Sequence, residues 1–242
     1  MNDVMFELKR LTAVFAALVA IVSLSSCNKE KGDYFQGASQ EDVLRRLEGQ
    51  PCGIPERKQK CEFDKNAIDL GLSVYWSRIP LGAEYVGDYG DYYCWGNLEP
   101  SDPELIYDTK HWVFGSKEGA DAALGDATRL PDEYDAAVQK IGHGWRLPTV
   151  DDVLELTYAV WSSFVTYGEH SGCLVWNQKG AFFIAGERGN GNNNAYCWCS
   201  DRADISSPFN AMQFYFLSSG IISCGNTHGY IPGFIFPVKD KE

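Results

Sequence analysis

The chain is poor in positive charge, in long apolar runs and in the short patterns that mark enzymes. Its 21 Lys and Arg stand against 33 Asp and Glu, a formal net charge of −12. No basic cluster offsets that balance, which argues against nucleic acid as a partner and against holding anionic lipid through a general field. The apolar run Leu11 to Leu24 is shorter than the ~20 residues a spanning helix needs. There is no Gly-Lys-Ser/Thr phosphate loop, so Gly189-Asn190-Gly191-Asn192 reads as a plain loop. There is no Gly-x-Ser-x-Gly elbow either. His111, His143, His170 and His228 lie scattered, without the His-x-x-x-His spacing of a zinc helix. Cys197-x-Cys199 would need Cys224 or His228 to complete a metal site, and export weighs against that use. The sequence therefore calls for no metal and no cofactor, and no catalytic residue is assigned.

What is present fits one large domain behind a leader. The 242 residues are 45% hydrophobic and 14% aromatic, enough to build a core without staples. Lys9-Arg10, the apolar run and Ser25-Ser26-Cys27 form the three regions of a secretory signal. The ending Leu24-Ser25-Ser26-Cys27 resembles the lipobox of bacterial lipoproteins. That resemblance implies cleavage after residue 26 and lipidation of Cys27, with Asn28 directing the protein to the outer membrane. A lipid anchor would then be its attachment. Export permits disulfides. Of the eight cysteines, those other than Cys27 are odd in number, so at least one is free or pairs between molecules. Cys52 and Cys61 bracket a short polar loop and make the best local pair.

Residues 27–66 read as a tether carrying a short helix, capped by Ser39 and stopped by Gly49. Residues 67–242 read as a single α+β domain. Leu70, Leu72, Val74 and Trp76 alternate as a half-buried strand does. Glu99 to Tyr134 is acidic and irregular and reads as a surface excursion. At Gly142-His143-Gly144-Trp145-Arg146-Leu147-Pro148-Thr149 the composition predicts a strand-to-helix corner, with Thr149 and Asp152 in a capping-box arrangement. A helix is expected from about Val150 to Trp161, with Val153, Leu156, Val160 and Trp161 on one face. Asp151 and Asp152 suit its positive end and read as helix electrostatics. Strands are expected within Gly180 to Gly186, over Met212 to Phe216, and over Gly233 to Val238, with a Gly/Asn-rich loop from Glu187 to Ala195.

Three segments carry a family resemblance: Ile68-Asp69-Leu70-Gly71-Leu72-Ser73-Val74-Tyr75-Trp76, Gly87-Asp88-Tyr89-Gly90-Asp91-Tyr92-Tyr93-Cys94-Trp95-Gly96 and Gly144-Trp145-Arg146-Leu147-Pro148-Thr149. Together they resemble the Fibrobacter succinogenes major paralogous domain, from about Ala67 to Val238, with Cys94 where that family more often has Ala. The resemblance implies secretion and a C-type-lectin-like or formylglycine-generating-enzyme-like fold. It implies no reaction. The motif that surrounds the active cysteines of formylglycine-generating enzymes has no match here. Nor has the calcium-site motif of sugar-binding lectins, since Glu99-Pro100-Ser101 reads as a turn.

The stretch from Arg188 to Val238 has its own deficit. Its only Met, Trp, Lys, Gln or Glu residues are Trp198, Met212 and Gln213, although these types make up about a fifth of the chain. Every other residue there is reachable from an Asn codon by replacing adenines. In this the chain resembles the variable proteins of diversity-generating retroelements, which share a C-type-lectin-like fold and a variable C-terminal region. That reading predicts an exposed binding face made of Cys199, Asp201, Arg202, Asp204, Ile205, Phe209, Ile222, His228, Tyr230 and Ile231, with Trp76, Trp95, Trp145 and Trp198 as scaffold. The expectation is a non-enzymatic lipoprotein, anchored in the outer membrane at the cell surface, that binds an extracellular protein or glycan. A structural or fimbrial-tip subunit of the envelope is the second expectation, and a formylglycine-generating-type enzyme the third.

Overall fold

The Gly142–Thr149 corner folds as its residues dictate. Gly142, His143 and Gly144 all take positive φ, at 69°, 53° and 82°, a run in which glycine at two of three positions removes the steric cost. In this computed structural model the described residues are 60–104, 108–167, 170–186, 194–203, 210–217, 219–220 and 222–241. Cys27, Cys52, the helix expected after Ser39 and most of the Gly/Asn-rich loop lie outside them. The Cys52–Cys61 pairing therefore rests on one described residue, Cys61, which is buried.

The corner leads through Trp145–Arg146 (β2) into the helix Val150–Ala159 (α4). Thr149 Oγ1 accepts from the Asp152 N–H at 3.1 Å, and Asp152 Oδ2 accepts from the Thr149 N–H at 2.7 Å, closing the capping box. Val153 and Leu156 face the core. The helix ends at Ala159, two residues earlier than expected, because Val160 turns extended and Trp161 opens the next strand.

Among the described residues three short α-helices precede α4: Phe63–Asn66 (α1), Lys117–Leu124 (α2) and Ala136–Lys140 (α3). The strands are Val74–Trp76 (β1), β2, Trp161–Tyr167 (β3), His170–Trp176 (β4), Ala181–Ala185 (β5), Ala195–Arg202 (β6), Asn210–Phe216 (β7), Ile222–His228 (β8) and Val238–Asp240 (β9). They form three antiparallel sheets, ordered β1-β9-β2, β3-β4-β5 and β6-β7-β8. The architecture is mixed α and β, with helices and small antiparallel sheets combined.

Two apolar clusters hold these elements. One joins β1, α4 and the inner faces of the β3-β4-β5 and β6-β7-β8 sheets around Trp76, Phe182, Phe214 and Phe236. The other gathers Trp95, Trp112, Phe114, Leu124, Leu130, Leu147 and Trp198. The acidic stretch before Tyr134 is thus no mere surface excursion. Trp112 and Phe114 are buried, and α2 lays Ala120 and Leu124 into the second cluster. Burying side chains of this size contributes about 1.5–3 kcal/mol each, which outweighs the polarity of their neighbours. Residues 61–66, counted with the tether on sequence, also belong to the packed unit. Phe63 packs edge-on against Trp145, whose Nε1–H donates to Asp64 at 2.9 Å. The expected strand from Leu70 shortens to β1, although Leu70 and Leu72 are buried. The last expected strand divides into bridges at Gly233 and Phe234, followed by β9.

Candidate functional site

Strand β6 runs between the two clusters, and this position decides what its residues can do. Cys197 and Cys199 point into the first cluster and Trp198 into the second. Indole N–H groups fasten it from the far side. Trp198 donates to the Tyr93 carbonyl at 2.7 Å, Trp95 donates to the Cys199 carbonyl at 2.9 Å, and Trp112 donates to the Trp95 carbonyl at 2.7 Å. Each buried indole thereby satisfies its own donor and a carbonyl of a neighbouring segment. Trp76, Trp95, Trp145 and Trp198 are all fully buried, as scaffold residues should be.

Several residues expected on an exposed face are therefore corrected. Cys199 is fully buried because both faces of β6 are covered. Ile222 is buried because it opens β8 opposite Phe216 in the first cluster. Arg202 is buried as well, its guanidinium wholly enclosed. It donates to the carbonyls of Gly125 at 2.8 Å and Ala127 at 3.1 Å, just past the end of α2, and lies 3.6 Å from Asp121. That is a clamp on a helix terminus, where cations are favoured. Asp201 retains 20% side-chain exposure, but both its oxygens are engaged. One accepts from the Val150 N–H at the start of α4 at 2.8 Å, and the other from Arg129 at 3.3 Å. Asp204, Ile205 and Phe209 lie outside the described residues.

His228 is exposed, while Tyr230 and Ile231 are half-buried, Tyr230 leaning on the second cluster. The His228 and Tyr230 rings stack nearly parallel, 5.1 Å apart at 12°. His228 Nδ1 meets Asn210 Oδ1 at 2.8 Å, and Asn210 Nδ2 donates to Asn226 Oδ1 at 3.5 Å. Tyr230 in turn sits edge-on to Trp112, 6.3 Å away. The loop beneath them is held from below. Trp95 N–H donates to the Gly229 carbonyl at 2.8 Å, and the Cys94 thiol to the Tyr230 carbonyl at 3.1 Å. A Cβ on Gly229 would meet Trp112 at 3.1 Å, so the close approach favours glycine there. Sequence reasoning missed Asn210 and Asn226. Their pairing with His228 follows from the register Asn210↔His228 and Met212↔Asn226, which alternation along either strand alone does not fix.

The thiols are quiet. Burial pushes Cys173 and Cys224 up to about 12. Burial also raises Cys199, with the neighbouring Cys224, Asp201 and Cys197 adding to the effect. A thiol held protonated is a poor nucleophile and a poor ligand. Among the described residues no three His, Cys, Asp or Glu side chains converge as a metal site, and no helix is long and apolar enough to cross a membrane. Arg146, at the corner, binds Asp152 at 2.8 Å and Asp240 at 2.8 Å, tying α4 to β9.

Compared with known proteins, the chain matches no family model, no curated protein and no solved structure.

Proposed function

We propose that this chain is an exported, lipid-anchored binding module with a C-type-lectin-like fold, and that its ligand contacts the surface where β7 begins and β8 ends. The lipobox-like Leu24-Ser25-Ser26-Cys27 supports export, lipidation of Cys27 and attachment to the outer membrane. The three motif segments support the fold. They occupy the places where it is knitted together, since Ile68 bridges Trp76, Tyr93 bridges Gly233 and Trp145 pairs with Lys239.

The observation that carries the binding reading is the Asn226–Asn210–His228–Tyr230 chain. It is a polar and aromatic group arranged by side-chain contacts, with His228 exposed, on the hairpin face whose far end, Phe214, Phe216 and Ile222, is packed into the core. Preorganised aromatic and amide groups on a rigid element are what recognition uses. The raised thiols speak against formylglycine-type chemistry, which needs reactive cysteines. The deficit of Met, Trp, Lys, Gln and Glu between Arg188 and Val238 supports diversification of this surface by an adenine-directed mechanism.

Sequencing the DNA around the gene tests that mechanism. A reverse transcriptase, together with a near-copy of the region that differs only at adenines, is expected nearby. Absence of both would remove active diversification. A ligand found by cross-linking on intact cells should be lost in the double variant His228→Ala, Tyr230→Ala while its melting temperature stays close to the parent's. Unchanged capture by that variant would overturn the assignment of the face.

A further inference from the structure

The β6-β7-β8 sheet carries a second group of half-buried side chains, on the face opposite the Phe214 and Phe216 core. Tyr196 lies directly across from Tyr215, and Tyr215 directly across from Ser223, so the three form one row over three strands. The two phenol rings are 5.9 Å apart and tilted by 43°. In the next row of the same face stands Gly225, opposite Gln213, and beyond it Thr227, opposite Ala211. A Cβ at Gly225 would meet the Tyr215 ring at 3.1 Å. The missing side chain is what lets Tyr215 lie across β8 instead of standing away from it. Tyr196, Tyr215, Ser223, Gly225 and Thr227 are all partly accessible.

We propose that this tyrosine shelf is a seat for an uncharged sugar ring of an extracellular glycan. An aromatic face carries negative partial charge and attracts the C–H bonds of a saccharide. The hydroxyls of Tyr196, Ser223 and Thr227 each donate and accept, which suits a ring bearing hydroxyl groups. None of the five residues is charged, and the chain is acidic overall, so an anionic sugar is disfavoured. The shelf is an aromatic row on a sheet face, whereas the strongest protein contacts bury anchors in desolvated pockets. The inference rests on the binding-module reading but on residues separate from His228 and Tyr230.

The test is a calorimetric titration of the full chain, with chelator present, against neutral oligosaccharides built from glucose, mannose, galactose, xylose or N-acetylglucosamine. Ring-labelled tyrosine NMR reports the location. At least one sugar should saturate and shift the Tyr196 and Tyr215 signals. Tyr215→Ala, and Gly225→Val, which pushes the ring aside, should each weaken it about tenfold, the loss of one good contact. His228→Ala should leave it unchanged. No response from any sugar overturns the saccharide assignment while leaving the His228 face to its own test. Full affinity in both Tyr215→Ala and Gly225→Val, or a sugar lost only in His228→Ala, overturns the shelf. A peptide that shifts Tyr215 where no sugar does would reassign the shelf to protein.

Discussion

The indole of Trp95 donates to the carbonyl of Cys199, 104 residues further along the chain, at 2.9 Å. That bond joins the Tyr93–Gly96 segment to the middle of β6 and fixes where the surface loop after β8 can rest. Replacing Trp95 with Phe keeps a ring but leaves the buried Cys199 carbonyl without this donor. Urea unfolding should show a loss of about 2 kcal/mol, the usual cost of an unsatisfied buried acceptor with some lost packing.

Arg202 and His228 should separate in stability. Arg202→Met removes two hydrogen bonds from a fully enclosed guanidinium and abandons the carbonyls after α2. The expected loss is about 3 kcal/mol, visible as a clear drop in melting temperature. His228→Ala, at an exposed position, should stay within about 0.5 kcal/mol. Equal melting of both variants would refute the buried-clamp role.

Asp152 sets an acid limit. Burial alone would raise its carboxyl, but hydrogen bonds from Arg146 and from the Thr149 backbone and hydroxyl outweigh burial and hold it below the usual value. A depressed acid contributes stability that is present above its unfolded value of about 3.9 and is lost as pH falls through the folded value. Asp152→Asn should therefore cost about 2 kcal/mol at pH 7, and the difference from the parent should shrink below about pH 4. A cost independent of pH would contradict the ion pair.

Thiol titration checks the quiet interior. At pH 8 a disulfide reagent should leave the buried Cys173 and Cys199 unmodified in the folded chain and react once urea is added. Rapid native labelling of Cys199, followed by mass spectrometry, would show that β6 opens readily.

Much of the corner was legible because its signals are local. Glycine, proline, Thr149 and Asp152 act within a few residues of one another, and the four scaffold tryptophans are too large to leave outside. Strand β6 was not legible for the opposite reason. Cys199 and Ser200 are adjacent and both buried, which a strand with one wet face would not allow. The register shift between Trp198 and Arg202 adds to this. A segment sandwiched between two cores loses the period-2 signal from which exposure is read. Arg202 compounds the error, since nothing near it in sequence announces the carbonyls at Gly125 and Ala127. Trp112 and Phe114 were hidden similarly, by the acidic residues on either side.

Strand β9 is only Val238–Asp240, yet it lies between β1 and β2 and pairs with both. Its partners wait 162 residues upstream at Trp76 and 92 upstream at Arg146, measured from Val238. While synthesis proceeds, Val74–Trp76 and Trp145–Arg146 have no middle strand to join, so this sheet cannot close before residue 238 has emerged. Closing loops of that length delays folding more than it alters final stability. This one sheet thus waits for β9, and loss of Val238–Asp240 would leave β1 and β2 without the strand that joins them.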